Sequence, residues 1–410
     1  MAACASRGVP MLEREAVRLR RIVVLGAGYA GVRAVQEMGP VLDEREIVLI
    51  DRGRSHAIVT EMYRVAAGGR PARGAEVPLH RLVPHHRNLV LLQAEVKELD
   101  WRQRVVRTGQ GAVAYDTVLF CLGATPEYFD IPGARESTLT LQHLDSALRL
   151  RRRLESLARL GGGRVVIVGG GLTGVELAGA ISAIHPGRFR LTLAQASPSI
   201  LPDEDPRLAA YAEEVLQRGD IEVRRGEHVA RVTKRTVVLR SGAVLPADLV
   251  VWAGGVRGNP LAAQAGLPVD GRGRVQVLPT LEVDGHPELF AAGDAAHVPG
   301  AAGHALPPTA QLAVQEGRAA ARNIAGLLAG REPQAFRPQV LGMTAALGRG
   351  YGIARLGRLR LTGRPANALH ELALVRYLYG VGGLGLLTRG GYLSWRSVPE
   401  TTAERKAYDV

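Results

Sequence analysis

RIVVLGAGYAG, residues 21–31, decides how this chain is read. Its β-branched run predicts a strand. Gly26, Gly28 and Gly31 follow in G-x-G-x-x-G spacing, and a helical segment runs on to near Pro40. The next strand, EIVLID, closes on Asp51, 20 residues after Gly31. In that setting each glycine has its own duty: a tight turn, close approach of a pyrophosphate, and close packing of helix on strand. The helix N-terminus faces the phosphates, and the acid at the end of the second strand takes a ribose diol.

The phrase then recurs. RVVIVGGGLTG, residues 164–174, carries Gly169, Gly171 and Gly174, followed by a helix through Ile184 and a strand RLTLAQ. The first glycines of the two copies lie 143 residues apart, and the copies close alike, on YDTVLFCLGATPEYF and ADLVVWAGGVRGNP. A duplicated nucleotide-binding domain predicts an α/β fold of two Rossmann-like dinucleotide-binding domains, the second inserted in the first, with a C-terminal α/β tail. The expected boundaries are a flexible N-terminal extension over 1–20, a first domain over 21–150 and 262–330, a second over 151–261, and the tail over 331–410. Two such domains imply two adenine dinucleotides, in the usual pairing of a flavin that stays with a nicotinamide that visits.

The copies differ where the first has Asp51. The second has Gln195, 21 residues after Gly174. A carboxylate there repels a 2′-phosphate, whereas an amide keeps a hydrogen bond and loses the repulsion. Gln195 reads either as drift or as relaxed choice between NADH and NADPH. Further on, a short strand ELFAAGD ends in Gly293-Asp294, which suits a carboxylate accepting from a ligand hydroxyl. PPTAQLAVQEG, residues 307–317, then opens a helix with Thr309 as its N-cap. Its positive end suits a partly anionic flavin edge; alternatively the helix only packs onto the sheet.

Composition excludes several classes. No stretch approaches the ~20 apolar residues of a membrane helix, and the opening 20 residues lack a signal-peptide core, so cytoplasm is the expected compartment. The net charge of +13 comes almost wholly from arginine, only Lys97, Lys234 and Lys406 being lysine, and it is spread along the chain. No nucleic-acid-binding signature accompanies it. From Arg337 onward, 11 Lys/Arg face 4 Asp/Glu; this basic tail fits an anionic membrane surface or a solvated face equally well. ALHELALVRYLYG, residues 368–380, is apolar around most of its circumference, so burial accounts for it as well as membrane contact does. Cys4 and Cys121 are the only cysteines, which excludes dithiol chemistry and a cysteine metal site; no metal is expected.

On GAGYAGVRA, DRGRSHAIVTEMYRVAAGG, LGATPEYFDIPG, VVIVGGGLTGVELAG, SILPDEDPRL, FAAGDAAH and PPTAQLAVQ, in order from about Arg21 to Gly330, the chain resembles the type II NADH dehydrogenases. These single-chain flavoproteins pass electrons from NADH to membrane quinone. The resemblance implies FAD held by Gly26, Gly28, Tyr29, Ala30, Gly31, Asp51, Arg52, Val96, Gly123, Asp294, Ala310 and Gln311. It implies a nicotinamide nucleotide site lined by Gly171, Thr173, Gly174, Glu176, Gln195 and Gly255. Gln311 and Gln315, at i and i+4 on one helix side, would face the quinone as the catalytic pair. The implied partners are menaquinone or ubiquinone and an anionic membrane surface, on the inner face of the cell membrane, with a homodimer left open and no nucleic acid. Two departures stand out: the family's VELxGE reads VELAGA here, with Ala180 in place of a carboxylate assigned to proton delivery, and Gln195 replaces an acid. A soluble NAD(P)H reductase with an iron–sulfur protein or oxygen as acceptor is the enzyme alternative, and a flavin-dependent redox sensor the non-enzyme one. Sulfide:quinone oxidoreductase needs mid-chain cysteines that are missing.

Overall fold

A computed structural model of the chain describes residues 20–300 and 304–389. The expected N-terminal extension, apart from Arg20, and the tail beyond residue 389 lie outside the described residues. The apolar runs of both glycine phrases become buried central strands. Arg20–Leu25 lies between Arg45–Asp51 and Thr117–Phe120, parallel to both, and Leu89–Gln93 and His286–Ala291 extend the sheet on either side. The strand next to Gly293-Asp294 therefore returns from residue 286 to a sheet begun at residue 20. Only Glu282–Val283, at its edge, runs antiparallel.

The second copy repeats the arrangement. Gly163–Val168 sits between Phe189–Ala194 and Leu249–Trp252, all parallel, with Ile221–Arg224 at the edge. Runs buried on both faces, such as Val165 to Val168, are what a parallel sheet covered by helices requires. Each copy also carries a three-stranded antiparallel meander: Val96–Asp100, Val105–Thr108 and Gly111–Ala114 in the first, Val229–Val232, Thr236–Leu239 and Val244–Pro246 in the second. Ala124–Pro126 and Val256–Gly258 join as an antiparallel pair where the chain passes between the copies.

The helix Ala310–Leu328 starts where the prolines and Thr309 place it, and the Thr309 side chain accepts from Leu312 N at 3.4 Å. It packs on helix Tyr29–Glu37 so closely that a Cβ on Gly317 would lie 2.1 Å from Ala30 O. Glu37 ties the two helices further through Arg318 and Arg322. The tail is an antiparallel sheet of Gly342–Gly348, Tyr351–Leu356 and Leu359–Thr362, followed by helix Gly363–Arg389. That helix breaks at Gly383 (φ 61°). Just before the break, Val381 O accepts from Gln36 Nε2 at 2.7 Å, fastening the tail to the first domain's helix. Its apolar circumference divides in two: Leu374, Leu378 and Val381 are buried against the body, while Leu372 and Tyr379 face solvent. No helix among the described residues is long and apolar enough to cross a membrane.

Candidate active site: two glycine cradles

At the first cradle, Gly26 (φ 99°) turns the chain beside Cys121, and a Cβ there would lie 2.5 Å from Cys121 O. A Cβ on Gly31 would lie 1.9 Å from Gly26 O. Both glycines are therefore demanded by the protein's own backbone. Gly28 differs, because a Cβ there meets nothing within 4 Å. It is the N-cap of helix Tyr29–Glu37, no side chain caps it, and no acidic residue occupies the first turn. The helix thus presents backbone N–H groups and a positive end to open space, which is what a pyrophosphate needs. The second cradle repeats the division. Gly169 (φ 109°) and Gly174 would clash at 2.2 Å with Ala253 O and at 1.9 Å with Gly169 O, while Gly171 faces open space at the uncapped start of helix Leu172–Ile184.

Asp51 locks its loop. Its Oδ2 accepts from Ala27 N and its Oδ1 from Gly53 N, both at 2.7 Å. Gln195 takes the corresponding place, with Oε1 accepting from Gly170 N at 2.8 Å. The amide therefore reproduces the loop-holding bond and leaves its Nε2 as a donor with no negative charge nearby on the side chain. A Gln195→Glu variant keeps that bond and restores repulsion of a 2′-phosphate. We expect its NADH/NADPH ratio of kcat/KM to rise about tenfold or more; an unchanged ratio would remove Gln195 from the ribose site.

Asp294 lies in the turn Gly293–Ala295, and burial raises its pKa. The loop is held from behind by Glu316, whose Oε2 accepts from Gly293 N at 2.6 Å, and burial pushes Glu316 up to about 7. Tyr29 OH lies 3.2 Å from Thr60 Oγ1, and its ring meets His56 and Tyr377 edge-on at 5.0 and 4.9 Å. Fully buried His56 donates from Nδ1 to Ala27 O at 2.9 Å and accepts at Nε2 from Tyr377 O–H at 2.7 Å, so the tail helix braces the first cradle through a neutral imidazole. Ala30 is buried under Gly317, Gly123 (φ 69°) has open space at its Cα, Val96 begins the first meander, and Arg52 is exposed. Thr173 is exposed beside Gly171, Glu176 is buried one turn further into the helix, and Gly255 (φ 132°) lies near Phe129.

Gln311 and Gln315 sit in the first turns of helix Ala310–Leu328, but their amides are engaged. Gln311 donates to Gly342 O at 2.8 Å and accepts from Leu341 N at 3.2 Å. Gln315 donates to Gln339 O and accepts from Gln339 N, each at 2.9 Å. Together they clasp the backbone that leads into the tail sheet. Three buried partners carry no motif in the sequence: Glu316 behind the Gly293 loop, and on the tail helix His370, 3.2 Å from Tyr63 OH, and Glu371, which accepts from Arg64 at 2.9 Å. Glu316 stands next to Gln315 in the quoted phrase. The tail pair was marked only by being polar within an apolar stretch.

Buried ionisable groups give a sign to the pH dependence of stability. Burial raises Glu316 to about 7 and Glu176 to about 8, from 4.5. Between pH 4.5 and those values the native state holds protons that the unfolded chain has released. Stability therefore falls as pH rises, by up to about 1.4 kcal/mol per pH unit per proton. His370, lowered by burial from 6.5 to about 4, acts oppositely between pH 4 and 6.5, and its contribution is complete above that. His56 and His143, also lowered by burial, act as His370 does, and all three contributions fade by about pH 7.5, so urea midpoints should drop from pH 7.5 to 8.5; a rising midpoint would contradict this.

Two uncapped helix N-termini, each over a glycine cradle in a duplicated parallel sheet, define a reductase built for two dinucleotides. A family model for the pyridine nucleotide-disulphide oxidoreductases matches residues 20–317, and the chain belongs to that family. It is similar to the type II NADH:quinone oxidoreductases of Staphylococcus haemolyticus and Staphylococcus aureus, 27% and 26% identical over 397 residues, spanning 91% of this chain and 98% of theirs. Among solved structures it resembles NDH2 of Plasmodium falciparum in complex with NADH, with a TM-score of 0.81 at 16% identity over 91% of this chain and 99% of that one. The sulfide:quinone oxidoreductase of Aquifex aeolicus shares the fold, with a TM-score of 0.75 at 18% identity over 95% and 94% of the two chains.

Proposed function

We propose that the protein passes a hydride from NADH to bound FAD and then two electrons to a membrane quinone, moving no protons across the membrane. The observation that carries this reading is the pair of open cradles, Gly28 and Gly171, in a chain aligned over nine-tenths of its length with type II NADH:quinone oxidoreductases. The cofactors are FAD and NADH. Bound FAD supplies the exchange between hydride transfer and electron delivery; the protein contributes position and electrostatics.

In this reading residues 21–150 and 262–330 hold FAD and residues 151–261 hold the nicotinamide nucleotide. Gly26, Gly28 and Gly31 seat the pyrophosphate with Tyr29 and Ala30 beside it, Asp51 and Arg52 take the adenosine end with Val96 near the adenine, and Gly123 lies along the middle. Asp294 accepts from a ribityl hydroxyl, and Ala310 and Gln311 bring the helix start to the isoalloxazine. Gly171, Thr173, Gly174, Glu176, Gln195 and Gly255 line the nucleotide site. The acceptor pocket lies at the Gln311–Gln315 clasp, whose two amides fix its floor through the 339–342 backbone. The protein acts peripherally at the inner face of the membrane, with the basic tail toward anionic lipid.

Gln311→Ala frees Gly342 O and Leu341 N, and so loosens the backbone under the acceptor pocket more than the flavin's own seat. We expect reoxidation of reduced flavin by a quinone analogue to slow about tenfold or more, with reduction by NADH changed less than about twofold. Equal slowing of both half-reactions would contradict the placement of the pocket.

A further inference from the structure

The closing phrases of the two units meet beside the second cradle. Gly26 abuts Cys121 O and Gly169 abuts Ala253 O, so Gly255 stands in the second unit where Gly123 stands in the first. Both have positive φ, 69° at Gly123 and 132° at Gly255, and Gly255 is exposed. Past the paired strands Ala124–Pro126 and Val256–Gly258, the chain folds back over Gly255. Glu127 N donates to Gly255 O at 3.0 Å, and a Cβ on Gly255 would lie 3.8 Å from Phe129 Cζ.

Phe129 does not suit its own backbone. Ile131 N donates to Tyr128 O at 3.0 Å, closing a tight turn whose central residues, Phe129 and Asp130, have φ 52° and 53°. A turn with two positive φ values favours Gly, Asn and Asp. Asp130 fits that preference, whereas a phenylalanine there is strained. Neighbours hold the strain in place. Glu127 Oε1 accepts from Phe129 N at 2.9 Å, Glu127 Oε2 lies 3.7 Å from Arg257 Nε, and Trp252 Nε1 donates to Glu127 O at 2.7 Å. Packing does not explain the ring either. Tyr128 and Ile131, on either side, pack against the core under the second meander, whereas Phe129 is 61% exposed. A large ring kept out of the core, on strained backbone and over an exposed glycine, marks a place where a ligand arrives.

We propose that Phe129 is a binding residue for the visiting nucleotide, its ring packing against the nicotinamide half of the dinucleotide. The inference rests on the placement of that nucleotide at the second cradle. Strand order then fixes which half reaches Phe129. The adenosine end at Gln195 lies over strand Phe189–Ala194, and the pyrophosphate at Gly171 lies over its neighbour Gly163–Val168. The nicotinamide half therefore falls beyond the next strand, Leu249–Trp252, where Gly255 and Phe129 stand. An aromatic face stacks on a planar heterocycle of any identity. Oxidised nicotinamide also carries a positive charge, which that face attracts. Gly255 puts no side chain between the ring and the nucleotide. Gly171 and Gln195 thus act on the half that both cofactor forms share with ADP-ribose, and Phe129 acts on the half that reacts.

The test uses the holoenzyme and two variants: Phe129→Asn, which suits the left-handed turn and removes the ring, and Phe129→Tyr, which keeps the ring. Calorimetry reads the affinity of each for NAD⁺ and for ADP-ribose, which is the same dinucleotide without its nicotinamide. Phe129→Asn is expected to bind NAD⁺ about tenfold more weakly and ADP-ribose within about twofold of wild type. Phe129→Tyr should match wild type on both within about twofold. Because asparagine tolerates positive φ better than phenylalanine, the urea midpoint of Phe129→Asn should equal or exceed that of wild type. A lower midpoint would mean that the ring serves the fold, and would overturn the proposal. Unchanged NAD⁺ affinity in Phe129→Asn, or an equal loss for NAD⁺ and ADP-ribose, overturns it as well. Wild-type holoenzyme that binds neither nucleotide overturns the second cradle's assignment itself, and the role of Phe129 with it.

Discussion

Gly28→Val is expected to fold and to purify without flavin. The backbone at Gly28 is extended (φ −73°, ψ −166°), a conformation any residue adopts, and its Cβ would meet nothing within 4 Å. Valine therefore adds no internal clash, yet its branches fill the space above the uncapped helix start where two or three N–H groups await an anion. Each such charge-assisted bond is worth about 1.5–3 kcal/mol, so FAD affinity should fall about 10²-fold or more. The readout is bound flavin per mole of protein whose circular dichroism matches wild type. Gly31→Val is the contrasting control: its Cβ would sit 1.9 Å from Gly26 O, and the loss should be of the fold itself. A folded Gly28→Val protein with full flavin would remove the first cradle from the FAD site.

Gly171→Val should separate the two halves of the reaction. Its backbone is equally permissive (φ −74°, ψ −175°) and its Cβ equally free. The first cradle is untouched, so flavin stays bound and dithionite still reduces it. NADH, deprived of its pyrophosphate seat, should bind about 10²-fold more weakly, measured as the NADH concentration that half-maximises the rate of flavin bleaching. Flavin loss in Gly171→Val would mean that the two cradles are assigned the wrong way round.

The fingerprint spacing divides the glycines by duty, Gly26 for the turn, Gly28 for approach of a pyrophosphate and Gly31 for helix–strand packing, and the Cβ distances follow that division. Gly26 and Gly31 are explained by the carbonyls they approach; Gly28 and Gly171 are explained by nothing inside the protein. The duplicated strand–loop–helix, the closing acid Asp51 and the Thr309 cap were legible because each is a local pattern with a fixed offset. The tail's chemistry was not, because its partners are remote in sequence. His56 and Tyr377 are 321 residues apart, and Tyr63 and His370 are 307 apart. ALHELALVRYLYG remained undivided between burial and exposure because periodicity does not say that one helix buries Leu374 and Leu378 while exposing Leu372 and Tyr379. The i,i+4 spacing of Gln311 and Gln315 was readable; the 339–342 backbone that takes up their amides was not.

Anaerobic titration of the purified flavoprotein with NADH, followed by a quinone analogue, tests the central claim most directly. One equivalent of NADH should bleach the flavin, and one equivalent of quinone should restore its colour within the turnover time. Flavin that bleaches with NADH and stays bleached in excess quinone, yet recovers on adding a ferredoxin-type protein, would contradict it.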